Sequence, residues 1–212
     1  MVLSMSKDWQ REKRQDHFYR RAKSSGKRSR AYYKIQQMDK KFRILQQGNS
    51  VVDLGAAPGG WTEYAVERVG RGGKVVAIDR DPMDHVKGAT FVLGDMTDPA
   101  TAEEVIELVG KADLVLSDMS PDISGNYSVD QARSAYLVTI VLNFSRQVVR
   151  PGGSMVAKVF EGEDFKDLLI DIRSSYRKVK VHSPPASRAQ SSEIYVIARG
   201  FDPKKVKNDT VD

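Results

Sequence analysis

The sequence predicts an α/β fold: a doubly wound, mostly parallel Rossmann-like sheet with helices on both faces and an antiparallel strand near the C-terminus. Two observations carry this expectation. Short runs rich in β-branched residues alternate with stretches of helical periodicity from about residue 50 onward, the pattern of parallel strands joined by crossover helices. The runs "SVVDL", "KVVAI", "DLVLS" and "SMVAKVF" are apolar on consecutive positions, as strands covered on both faces require.

In order, "RAYYKIQQMDKKFRIL" spaces Tyr32, Ile35, Met38, Phe42 and Leu45 along one helix face, and Gly48 is the expected stop. "SVVDLG" is a strand and "GGWTEYAVERVG" turns into a helix. "GKVVAIDRD" and "ATFVLGD" are strands, "PATAEEVIELVG" a helix, and "KADLVLSDMS" a strand. "SVDQARSAYLVTIVLNFSRQVVR" is a long helix stopped by Pro151-Gly152. "GSMVAKVF" is a strand, "EDFKDLLIDIRSSY" a helix, and "RKVKVHS" and "SEIYVIARGF" close as a hairpin. The chain divides into a basic arm (1–27), one domain (28–201) and a polar tail (202–212).

The 212 residues contain no cysteine, which excludes disulfides, thiolate metal sites and cysteine nucleophiles. His17, His85 and His182 lack ligand-like spacing, so no metal is expected. The longest mostly apolar run, "AYLVTIVLNF", is about half the ~20 residues of a membrane span, and the N-terminus lacks a signal-peptide core. A soluble, cytoplasmic monomer is expected. Residues 1–50 carry fourteen Lys/Arg against four Asp/Glu, while the remainder is net negative. That asymmetry points to a polyanion held by the N-terminal region, with RNA favoured because Tyr32 and Tyr33 lie inside the cluster. Either tyrosine is placed to stack on a base, and Tyr32 has core spacing as well.

"VVDLGAAPGGW" runs the first strand into a glycine loop. Trp61 follows Gly60 where a P-loop needs Lys, and G-A-A-P-G-G is not a strict dinucleotide fingerprint. Three successive strands then finish in Asp79, Asp95 and Asp118. Asp79 lies 24 residues after Gly55, where a carboxylate accepts ribose hydroxyls. Three carboxylates beside one glycine loop suit a ligand with hydroxyls, an amine and positive charge, as in S-adenosylmethionine, better than a pyrophosphate. Trp61 either packs on that ligand or anchors the helix in the core. Lys158 lies inside an apolar strand, where an ammonium is costly unless paired or deprotonated.

"RSRAYYK", "VVDLGAAPGGW", "IDRDPM", "DLVLSDMSPDISG", "KVF" and "RAQSSEIYVIARGF" together resemble the FtsJ/RrmJ (RlmE) ribosomal RNA 2′-O-methyltransferases, from about Arg28 to Phe201. The resemblance implies a catalytic set of Lys34, Asp118, Lys158 and Glu193, and S-adenosylmethionine contacts at Gly59, Trp61, Asp79, Asp95 and Asp118. It further implies Lys158 as general base with Lys34 as a second cation beside it, and Glu193 orienting Lys158. Asp118 is assigned to the cofactor's amine or to Lys34. Asp122 stands where the bacterial enzymes are expected to have asparagine, a departure that bears on the target. The implied substrate is a uridine of large-subunit ribosomal RNA. The alternatives are a transfer RNA anticodon loop, a non-catalytic RNA-binding assembly factor and, more remotely, a nicotinamide-dependent oxidoreductase.

Overall fold

In a computed structural model of the chain, residues 17–187 and 192–206 are described. Most of the expected arm, Arg188 to Ser191 of the "RAQSSEIY" string and the end of the tail lie outside the described residues.

Consecutive apolar residues in the strands serve two layers. Val51 faces a cluster built with α2 (Ala31–Phe42) and α3 (Gly60–Val69), whereas Val52 faces the opposite one. That opposite layer is formed by α4 (Pro99–Val109), α5 (Tyr127–Val148) and α6 (Phe165–Arg173). Between the layers lie β1 (Ser50–Leu54), β2 (Lys74–Asp79), β3 (Thr90–Leu93), β4 (Ala112–Ser117), β5 (Val149–Phe160), β6 (Tyr176–His182) and β7 (Glu193–Phe201). Their order is β3-β2-β1-β4-β5-β7-β6. Strands β1 to β5 are parallel, and β7 runs antiparallel to both β5 and β6. The expected hairpin forms, with β7 placed inside β6. The order reverses between β1 and β4, where open α/β sheets bind ligands.

Two stop signals act differently from expectation. Helix α2 ends at Arg43, which is left-handed at φ 51°, rather than at Gly48. The early stop lets the Leu45 N–H reach the Asp39 side chain (2.9 Å). Helix α5 ends at Val148 because Val149 already pairs with Ala112, and Pro151-Gly152 forms a register shift within β5.

A short helix, α1 (His17–Ser24), lies against α2 through Ala22 and the Phe18–Tyr33 ring contact. Tyr32 and Tyr33 are both buried. The Tyr32 ring stands edge-on to Tyr64 and its hydroxyl donates to Glu67. They are core residues, unavailable to stack on a base.

Asp39 fastens α2 to α3. Its buried carboxylate accepts from the Leu45 N–H, the Tyr64 hydroxyl (2.9 Å) and Arg68 Nε (2.9 Å). Asp39→Ala strands the first two donors and is expected to cost about 2–3 kcal/mol in urea unfolding. Arg68→Ala removes a half-exposed partner and is expected to cost under about 1 kcal/mol. Equal losses would contradict the assignment.

Candidate active site

The switch point opens into a cleft of about 560 Å³ at the carboxyl ends of β1 to β4. Gly55 closes one wall at φ +75°, and a Cβ there would lie 2.5 Å from Met119 Cγ. Only glycine lets the β1 loop approach the β4 loop so closely.

Asp79, Asp95 and Asp118 all line this cleft, as their strand-end positions predict. Asp79 also shapes it: Oδ2 accepts from the Ala57 N–H (2.8 Å) and Oδ1 from the Asp81 N–H (2.9 Å). Bonds from the Thr97 N–H and hydroxyl hold the Asp95 carboxyl below its ordinary value. Asp122 is exposed at the rim, paired with Arg80 (3.1 Å).

Gly59 and Trp61 stand differently. Gly59 sits at φ +101° facing the Arg28 side chain, where a Cβ would meet Arg28 Cδ at 2.9 Å. The Trp61 indole is in the core beside Tyr195 (ring centroids 5.7 Å) and is not among the residues lining the cleft, the core position being one of the two roles its sequence context left open. The backbone N–H groups of Gly60 and Trp61 belong to the first turn of α3, where they have no intrahelical acceptor.

Beside the cleft, five side chains form one chain of contacts. Lys34 Nζ donates to Glu193 Oε1 (2.5 Å). The Tyr195 hydroxyl lies 2.5 Å from the same oxygen and 2.9 Å from Asp118 Oδ1. Lys158 Nζ closes the series, 3.3 Å from Asp118 Oδ1 and donating to the Asp118 carbonyl (2.6 Å). The four expected catalytic residues thus meet, with a different pairing. Glu193 holds Lys34 rather than Lys158, and Lys158 is held by Asp118.

The geometry follows from the elements. Lys158 pairs with Tyr195 across β5 and β7, and Glu193 precedes Tyr195 by two on the same strand face. Lys34 comes down from α2 above them. Burial alone would push the Asp118 carboxyl up, but the charges of Lys158 and Lys34 and the bond from Tyr195 outweigh it, leaving it below its ordinary value. Burial and the flanking carboxylates push the Tyr195 phenol well up, so it stays a neutral donor.

Two contributors escaped the sequence analysis. Tyr195 lies in the "SSEIY" string, and its i+2 spacing from Glu193 was the available signal. Asp53, fully buried under the glycine loop, accepts from the Thr62 hydroxyl (2.6 Å), and its Oδ1 has no partner among the described residues. Burial pushes its carboxyl up to about 7, against the Thr62 bond and with help from Asp118 and Asp79.

Parallel strands, a glycine loop and strand-end carboxylates at the switch point define a Rossmann-like fold built for a nucleoside cofactor. Residues 27–201 match the family model described as FtsJ-like methyltransferase, and the chain belongs to that family. The protein is 44% identical to ribosomal RNA large subunit methyltransferase E of Methanobrevibacter smithii over 206 residues, 96% of this chain and 98% of the relative. A Plasmodium falciparum structure provisionally described as a ribosomal RNA methyltransferase superposes with a TM-score of 0.75 at 26% identity, covering 82% of this chain and 98% of that one. A chain of the fibrillarin/Nop5p complex, at 20% identity and a TM-score of 0.56, shares the fold over 79% of this chain and 81% of its own.

The Asp53 carboxyl gives a pH signature. Its ordinary value is 3.8 and its folded value about 7. Between these values the folded chain keeps a proton that the unfolded chain has lost, so this residue's contribution to stability falls as pH rises. Asp53→Asn removes that loss. From pH 5 to pH 8, the variant is expected to gain about 2–3 kcal/mol on the cofactor-free wild type in urea unfolding. Parallel pH dependence in the two proteins would contradict a buried, proton-holding Asp53.

Proposed function

We propose that the protein transfers a methyl group from S-adenosylmethionine to a ribose 2′-hydroxyl of RNA, at a uridine of large-subunit ribosomal RNA. The observation that carries this is the position of Lys158, held by Asp118 at the edge of the carboxylate-lined cleft.

The cleft fits the cofactor on its own chemistry. Its volume suits a nucleoside with an amino-acid arm. Its carboxylates complement hydroxyls, an amine and a sulfonium; the two arginines at its rim are turned to Asp122, Arg80 to the carboxylate and Arg133 to the main-chain carbonyl. Asp79 takes the ribose hydroxyls, Asp95 the adenine end and Asp118 the amine of the methionine arm. Gly59 and Trp61 contribute through the loop backbone and the free N–H groups opening α3. When bound, the cofactor supplies an electrophilic methyl carbon.

The protein's part is positioning and proton transfer. Lys34, Glu193, Tyr195 and Asp118 fix the Lys158 amine, which would take the proton of a 2′-hydroxyl within hydrogen-bond reach of Nζ; the cofactor would give up its methyl group from sulfur to that oxygen and leave as the neutral thioether. The N-terminal basic segment supplies phosphate contacts that position without specifying sequence. No helix among the described residues is long and apolar enough to cross a membrane, and we place the protein in the cytoplasm, acting as a monomer.

The test is methyl transfer from radiolabelled S-adenosylmethionine to large subunits lacking the modification, protein-free ribosomal RNA and unmodified transfer RNA. Ribose label in the large subunit is expected, with kcat of Lys158→Ala lower by about 10²–10⁴-fold. Label on transfer RNA alone would replace the target. No transfer despite RNA binding would favour a non-catalytic assembly factor.

A further inference from the structure

At the end of the sheet opposite the active-site cleft, a second cleft of about 460 Å³ is lined by Arg43, Arg150, Arg177, Lys178 and Arg199. Two of these cations are neutralised locally: Arg150 pairs with Asp113 (2.5 Å) and Arg177 with Asp202 (3.1 Å). Among the described residues no carboxylate lies within ion-pair distance of Arg43, Lys178 or Arg199, nor of their neighbours Lys41 and Lys180. Lys178 and Arg199 face each other across β6 and β7. Like charges directly opposite on a sheet are destabilising unless an anion lies between them.

The register connects this cleft to the active site. Ser154, Arg199 and Lys178 form one row across β5, β7 and β6. Val156, Ile197 and Lys180 form the next row on the same face, and Lys158, Tyr195 and His182 the one after. From Ser154 to Lys158 is four residues of strand, about 13 Å. Helix α2 covers the middle of these rows, burying Val156, Ile197 and Tyr195. The outer ends on β6 stay open, so Lys178, Lys180 and His182 step along the edge toward the catalytic row. Lys41 Nζ, 3.4 Å from His182 Nδ1, adds a further cation at the upper end. Partial burial and that lysine hold the His182 ring below its ordinary pKa, in keeping with a positive local field.

We propose that the cleft of Arg43, Lys178 and Arg199, continued by Lys180 and Lys41 along the edge of β6, is a phosphate track. It binds the sugar-phosphate backbone of the substrate RNA away from the acceptor nucleotide. The track rests on the reading of the substrate as RNA and is separate from the basic arm of residues 1–27, although Lys41 and Arg43 belong to the basic first fifty residues. A row of exposed cations spaced along a strand edge suits backbone contact, which holds a substrate in register without choosing sequence.

The test compares the full chain with Lys178→Gln/Lys180→Gln and the charge-keeping Lys178→Arg/Lys180→Arg. Each is titrated with a protein-free large-subunit ribosomal RNA transcript at several salt concentrations and assayed for methyl transfer. The glutamine pair is expected to weaken RNA binding roughly tenfold or more at 0.1 M salt and to lower the slope of log K against log salt by about 1.4–1.8. The loss should fall on KM for RNA rather than on kcat, and the arginine pair should restore affinity. Wild-type affinity and slope in the glutamine pair, with methyl transfer intact, would overturn the track alone. Equal loss in the arginine pair would overturn it as well, by assigning the lysines a structural role. A wild-type protein that neither binds nor methylates the transcript or any other RNA would sink the RNA reading and the track together.

Discussion

A single phenolic hydrogen, on Tyr195, stands between the carboxylates of Glu193 and Asp118, with Lys34 and Lys158 outside them. It can be donated to only one carboxylate at a time, so the arrangement depends on the two lysines balancing both charges. Buried ions cost several kcal/mol each in lost hydration, and a half-satisfied network is worse than an apolar core. Every element around the site answers that demand. Antiparallel insertion of β7 between β5 and β6 sets Glu193 and Tyr195 beside Lys158. Helix α2, fastened by Asp39, brings Lys34 over them. The end of β4 brings Asp118 to the point where the sheet's order reverses.

The same constraint divides the molecule electrically. Asp79, Asp95 and Asp118, with Asp53 beneath the glycine loop, make the cleft a place for hydroxyls and positive charge. On the other side of the catalytic row, Lys41, Arg43, Lys178, Lys180 and Arg199 lie along β6 and the end of α2 with no acidic partner among the described residues. On the proposed function, a cationic donor and a polyanionic acceptor would approach Lys158 from different surfaces, each favoured by the local charge.

Much of this was legible in the letters because it rests on local pattern. Two-sided apolar strands gave the sheet, and their terminal Asp residues gave the cleft wall. Lys158 announced itself as a charge inside an apolar run. The pairing within the site was not legible, because it depends on strand order. Nothing in the spacing of Lys34, Asp118, Lys158 and Glu193 says that Glu193 meets Lys34 rather than Lys158. For Trp61 and Tyr32 the letters left two roles open, a contact or a core position, and Tyr33 read as a contact. Aromatic side chains beside a ligand loop or a basic cluster serve either role, and here they fill the layer beneath α2 and α3. Arg43 took the left-handed position expected of Gly48 because Asp39 captures the Leu45 N–H directly after the helix.

The most direct measurement of the central claim is a double-mutant cycle on kcat for methyl transfer, using Lys34→Met, Glu193→Gln and the two combined. If Lys34, Glu193, Tyr195, Asp118 and Lys158 act as one unit, each single substitution disrupts the whole chain. The double variant should then be no slower than the slower single, a strongly non-additive result. Effects that multiply would show that Lys34 and Glu193 act independently, and would contradict the network as the device that places Lys158.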